Sequence, residues 1–504
     1  MAAQFSDPTR RIVPRWRPSW VSTRLDELTS LVPRSAPWQP NVSELEMLLH
    51  DWKAHRTSAF AADVVGVALV LGQRDLAREA ATTLLEIDVP APAAMLAWEI
   101  LRVAPAGPQH REEPPLVGEA ERRGRVKSLR ARLAEMARNP LMWVDLAREY
   151  VILGQNDHAL RAIRAAVALA PTSRFVLRSA ARFYLHRGDP GRAHDLLRRS
   201  PVAQRDPWVL AAEIATATVA DRTSSLIKVG RRMIEGERLA NAHLTELASA
   251  LATLEMDAGN RRGARKLFLQ ALAAPTENTV AQASWASRHA HVLEFDPEYL
   301  ELPRTFEAGA WQNYLQQDWS SAVAEADHWQ LDEPFASRPA MFGSFVASVA
   351  LEDYSRAVLF AERGLQADPV NSVLLNNLAF ALASSGRAAE ARAALLRVPI
   401  ADLDVAGKVA NLATSGLVAY RLGEPTAGRA LYEQAIQLAE TAGLRDKRAW
   451  AILFLAREEI RTASPGAAAV LSRFGGATEH FEGPTRAVAQ TMFQRLLERA
   501  AGRK

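Results

Sequence analysis

Two stretches of this chain, 34 positions apart, carry the same chemistry. The first reads Trp143, Leu146, Ala147, Tyr150, Gly154, Ala159, Ile163, Ala166 and Pro171; moving from 143 to 177 lands on Leu177, Ala180, Ala181, Tyr184, Gly188, Ala193 and Leu197. Apolar residues three and four places apart mark helix faces. Gly154 stands where a first helix must end in a left-handed turn, and Pro171 stops a second. The small residues Ala147, Ala159 and Ala166 let helices approach, while Trp143, Tyr150 and Ile163 fill the gaps between them. No such hairpin buries its apolar face alone, so self-similarity at this period demands stacked neighbours.

The pattern runs on through most of the chain. It returns at Leu251, Ala252, Gly259, Ala264, Phe268, Ala271 and Pro275, with an eroded pair over 208–239 between. Further units read Ala310, Asp318-Trp319, Ala322 and Ala326; Asp353-Tyr354, Ala357 and Ala361; Leu375, Leu378, Ala379 and Gly386; and Leu412, Gly416, Gly423, Gly428 and Tyr432. A degenerate unit over Ala61–Leu84 precedes them. The expected organisation is an arm at 1–42, a helical region at 43–103, a proline-rich linker at 104–118, arrays at 119–290 and 291–445, and capping helices at 446–504. With 48% hydrophobic and 23% charged residues, the chain has the balance of a folded protein.

Charge is unevenly placed. The net charge is +4, yet 294–368 holds 14 Asp and Glu against 4 Arg, so the remainder is basic. The preference for Arg over Lys points to a GC-rich bacterial genome. In the arm, cations interleave with aromatics, and Arg15, Trp16, Arg17 and Trp20 are candidates to grip an acidic partner or stack on bases. The alternative is an extended arm whose tryptophans pack on the first helices. On 119–138, Arg123, Lys127 and Arg130 share a basic face opposite Val126, Leu129, Leu133 and Met136.

These repeats resemble the tetratricopeptide family, whose W…LG…Y…A…F…A…P pattern has a period of about 34 residues. The resemblance implies an all-α fold: an α-solenoid, a right-handed superhelix of helical hairpins, with the inner wall drawn mainly from the first helix of each. Transferred position by position, it puts Arg148, Arg178 and Arg182 on that wall, followed by Phe342, Val346, Asn376, Phe380 and Leu417. A cationic end and an apolar end suit a ligand with an acidic part and a hydrophobic anchor, unless the arginines answer acidic residues of the same chain. Some members clamp a C-terminal carboxylate with Lys and Asn; here Asn376-Asn377 stands without the lysines.

Chemistry is harder to find. The absence of cysteine excludes disulfides, thiolate zinc sites and cysteine nucleophiles. No secretory leader is legible, and the apolar run Val64–Leu71 is too short to span a bilayer, so a cytoplasmic protein is expected. Phosphate-loop, dinucleotide, zincin and nucleophile-elbow patterns are missing. His289 and His291 would point to different sides of a helix, and His186, Asp189 and His194 fall at turn and second-helix positions where solvated polar groups are expected. No cofactor, metal or enzymatic activity is expected. The leading reading is a scaffold or adaptor that recruits or regulates a protein or peptide partner, such as an effector enzyme, as the regulatory subunit of a multi-protein system. The alternatives are a nucleic-acid-binding repeat protein using its basic half and a peptide-sensing regulator. Oligomeric state stays open.

Overall fold

The computed structural model describes residues 10–18, 42–56, 60, 61, 64, 65, 68, 73–86, 97, 101, 118–135, 137–236, 239, 241–474, 479, 481 and 483–501. Trp20, Met136 and the linker at 104–117 lie outside the described residues. Among those described, 23 α-helices and three short 3-10 turns make up the regular structure, without a strand. They form two compact units, Pro8–Thr305 and Phe306–Lys504.

In the first unit, α1 (Val42–Ala54), α2 (Arg74–Glu86) and α3 (Glu119–Glu135) precede four hairpins. These are α4 (Pro140–Ile152) with α5 (Asn156–Leu169), α6 (Arg174–His186) with α7 (Pro190–Arg199), α8 (Pro207–Val219) with α9 (Ile227–Glu235), and α10 (Asn241–Asp257) with α11 (Arg261–Ala271). Asn139, Asp189 and Asp206 cap α4, α7 and α8 through side-chain oxygens, each followed by a proline whose missing N–H costs nothing at a helix start. Gly154, Gly188 and Gly259 turn three of the hairpins at φ of 70°, 69° and 79°, which a side chain would strain. α12 (Glu277–Ala290) begins a fifth hairpin that never acquires its second helix. His291 ends it in the left-handed region, and Val292 and Leu293 pack with Ala252, Phe268 and Trp285. That packing carries 291–305 with the first unit, which ends at Thr305.

Five hairpins make up the second unit: α13 (Phe306–Leu315) with α14 (Trp319–Asp332), α15 (Ser337–Val349) with α16 (Tyr354–Ala367), α17 (Ser372–Ser384) with α18 (Ala388–Leu396), α19 (Val405–Arg421) with α20 (Pro425–Thr441), and α21 (Arg445–Arg461) with α22 (Ala467–Phe474). Here Gln317 and Glu352 take the left-handed turn without glycine, at φ of 63° and 57°. The aspartates that follow begin the second helices: Asp318 accepts from the Ser321 N–H and Asp353 from the Arg356 N–H, both at 3.0 Å. The Ser321 bond holds the Asp318 carboxyl below its ordinary range.

The closing helix, α23 (Gly483–Ala501), touches the first helices at both ends of this run, α13 and α21. Val488, Ala489, Met492 and Leu496 join one buried cluster with Trp311, Phe342, Phe380 and Phe454. Polar bonds pin it along its length: Thr485 to Tyr314, Arg495 to the Ala350 carbonyl at 3.0 Å, and Arg499 to Glu352 at 2.9 Å. Burial, partly offset by the Thr485 bond, pushes the Tyr314 phenol up to about 12. The inner positions expected to face a ligand are buried within this unit. Phe342 is 1% exposed and Val346, Phe380 and Leu417 are 0% exposed, Phe380 standing edge-on to Phe454 with Arg457 over its ring. Asn376, at 3% exposure, is buried beside them in α17.

Candidate functional site

The inner face of the first unit holds a peptide, and that peptide is the chain's own arm. Residues 10–18 lack regular structure and contact the first helices α4, α6, α8, α10 and α12. Three main-chain carbonyls are engaged. Gln282 Nε2 donates to Arg10 O at 3.1 Å, Asn278 Nδ2 to Val13 O at 2.9 Å, and Arg148 Nε to Trp16 O at 3.0 Å. A spacing of three residues is what an extended, threefold chain presents to one side. Pro14 and Pro18 favour that form by keeping the residues before them out of helical geometry.

Side chains add selectivity to those main-chain bonds. The Arg10 guanidinium donates to Gln282 Oε1 and, at 3.0 Å, to Asn278 Oδ1, so each amide holds a backbone and a side-chain group together. Arg11 pairs with Asp257 and Arg17 with Glu277, both at 2.9 Å. Ile12 is buried among Leu210, Ile214, Leu244 and Leu247. Trp16 is 0% exposed and meets Phe183 edge to face, with ring centroids 6.3 Å apart. A cavity of about 20 Å³, room for one water, remains among Arg15, Arg17, Phe175, Arg178, Glu246 and Glu277.

The wall arginines have partners within the unit. Arg178 pairs with Glu246 at 2.7 Å and lies over the Trp208 ring; Arg148 stands 3.7 Å from Glu149, which also takes Arg122 at 3.1 Å; Arg182 is half-buried on α6. The segment seated on this wall is cationic, and its counter-charges are Asp257 and Glu277. Glu246, Asp257, Glu277, Asn278 and Gln282 also line the groove and are not marked by the repeat pattern. Their signal was present: Asn278 and Gln282 are one turn apart on α12, and α10 buries Thr245, Glu246, Ser249 and Thr253 where a packed helix needs apolar groups.

The histidines are engaged elsewhere. His194 is buried, contrary to its expected solvation, with Nε2 3.0 Å from Glu213 Oε1, while Ser224 Oγ donates to the same carboxylate. The carboxylate thus stands between serine and histidine, an order that gives the hydroxyl no imidazole base. His289 stacks on Trp285, and His291 caps α12. Arg123, Lys127 and Arg130 are exposed on α3. Among the described residues, no helix is long and apolar enough to cross a membrane.

No family model matches the chain, and no curated protein matches it. Solved structures similar to it include yeast Tom70, at 11% identity over 90% of this chain and 91% of that one, TM-score 0.31. The human IFIT1 dimer with PPP-AAAA aligns at 14% identity over 79% and 97%, TM-score 0.35. The APC/C hetero-tetramer Cut9–Hcn1 aligns at 12% over 92% and 98%, TM-score 0.33. The hairpins described above establish the fold by themselves: an all-α solenoid of tetratricopeptide-like repeats.

Proposed function

We propose that this protein is a non-catalytic scaffold or adaptor that binds a protein partner in the groove of its first unit and thereby recruits or regulates it. The observation that supports this reading is the arm seated there: first-helix side chains hold an extended segment through carbonyls 10, 13 and 16 as well as through its side chains. Main-chain bonds fix an extended peptide in place, and side-chain pockets select which one.

The test is capture of partners by the full chain and by an Asn278→Ala/Gln282→Ala variant, followed by mass spectrometry. A stoichiometric protein recovered by the parent and lost from the variant is the expected result. Equal recovery by both contradicts the groove. Recovery of nucleic acid alone, abolished by nuclease and falling steeply with salt, would favour the nucleic-acid reading instead.

A further inference from the structure

We propose that residues 10–18 are an internal occupant that exchanges with an extended segment of a partner carrying the same chemistry: two arginines before a β-branched residue, then a tryptophan between arginines. This rests on the scaffold reading above and names the class of ligand.

Three observations carry it. First, the groove's anionic groups match the arm: Asp257 takes Arg11, Glu277 takes Arg17, and the Asn278 and Gln282 amides take Arg10. An acidic segment would set its carboxylates against Asp257, Glu277 and Glu246. Second, the apolar contacts are side-chain sized: the space around Ile12 accepts a β-branched residue, and the Phe183 edge accepts a flat ring. Third, the contacts suit exchange. The carbonyl bonds are indifferent to sequence, so an incoming segment makes them as well as the arm does. Guanidinium and amide groups that leave the groove regain hydrogen bonds from water.

An occupied groove lowers apparent affinity by the fraction of molecules in which it is open. Weakening the arm should therefore tighten binding of a competing peptide. The probe is a fluorescent synthetic peptide with the sequence of residues 10–18, and its binding to the full chain is read by anisotropy. Two arm variants are used, Trp16→Ala and Arg10→Ala/Arg17→Ala, each checked for retained helical circular dichroism.

Both variants are expected to bind the peptide about tenfold tighter than the parent or better. Adding Asn278→Ala/Gln282→Ala should abolish the gain, and a scrambled peptide of equal charge should show none. The exchange is overturned if folded arm variants bind no tighter than the parent, or if the scrambled peptide gains equally. If the peptide fails while partner capture still depends on Asn278 and Gln282, the exchange falls and the scaffold reading stands. If capture is also independent of those residues, both fall.

Discussion

The two units fill their inner faces with opposite chemistry. In the first, an extended cationic arm meets a wall of buried polar residues, with Glu246, Thr253, Asn278 and Gln282 among them. In the second, Val488, Met492 and Leu496 of α23 belong to one buried apolar cluster with Phe342, Phe380 and Phe454. Apolar burial contributes about 25 cal/mol per Å² and has no substitute in water, so α23 is a structural part of its unit. The arm is held through charged and amide groups as well as through the buried Ile12 and Trp16. The first helices of the two units differ accordingly: α10 and α12 bury Glu246, Thr253, Asn278 and Gln282, whereas α15 and α17 bury Phe342, Val346 and Phe380.

Substitutions in the two units should have unequal effects. The largest effect is expected for Phe380→Ala, which removes a ring from the second core and should cost about 3–5 kcal/mol in denaturant unfolding. Solvent protection of the arm should stay unchanged; release of the arm by this variant would tie the two faces together and undo the contrast. Overpacking comes next. A Cβ on Gly416 would stand 2.7 Å from Tyr432 Cδ2 and 2.9 Å from the Gly428 carbonyl, so Gly416→Ala should cost about 1–3 kcal/mol. In the first unit, Ala166 is 0% exposed, and Ala166→Leu should lower the melting temperature through a similar loss, again about 1–3 kcal/mol. An unchanged melting temperature would contradict the helix register.

The smallest effect is expected for Arg11→Ala. Its partner Asp257 is 39% exposed at the side chain, and a solvated ion pair contributes less than about 1 kcal/mol. Global stability should hardly move, while susceptibility of the arm to trypsin should rise with added salt in the parent and be less salt-dependent in the variant.

Much of the fold was legible because it rests on local rules. Gly154 and Gly188 stand at left-handed turns, and the Asp-aromatic pairs at 318 and 353 stand at helix starts, each required by its own neighbours. The site was legible only in part. Arg15, Trp16, Arg17, Arg148 and Arg178 all come together at the groove, but their partners lie far away in sequence: Arg17 meets Glu277, and Arg10 meets Gln282. No periodicity reports that the buried amides of α12 exist to hold a segment more than two hundred residues upstream. The burial of Phe342, Phe380 and Leu417 is not legible by transfer of positions, which places a residue on a helix without reporting what packs against it.

The arm occupies its own groove, and the cysteine-free chain allows this to be tested by thiol labelling. Ile12 is 1% exposed and Leu396 is 82% exposed, so the variants Ile12→Cys and Leu396→Cys place single thiols at protected and open sites. Maleimide modification under native conditions should be slower for Ile12→Cys by on the order of a hundredfold, the protection given by an opening free energy of about 2.7 kcal/mol. The two rates should converge in denaturant. Equal rates under native conditions would contradict the seated arm.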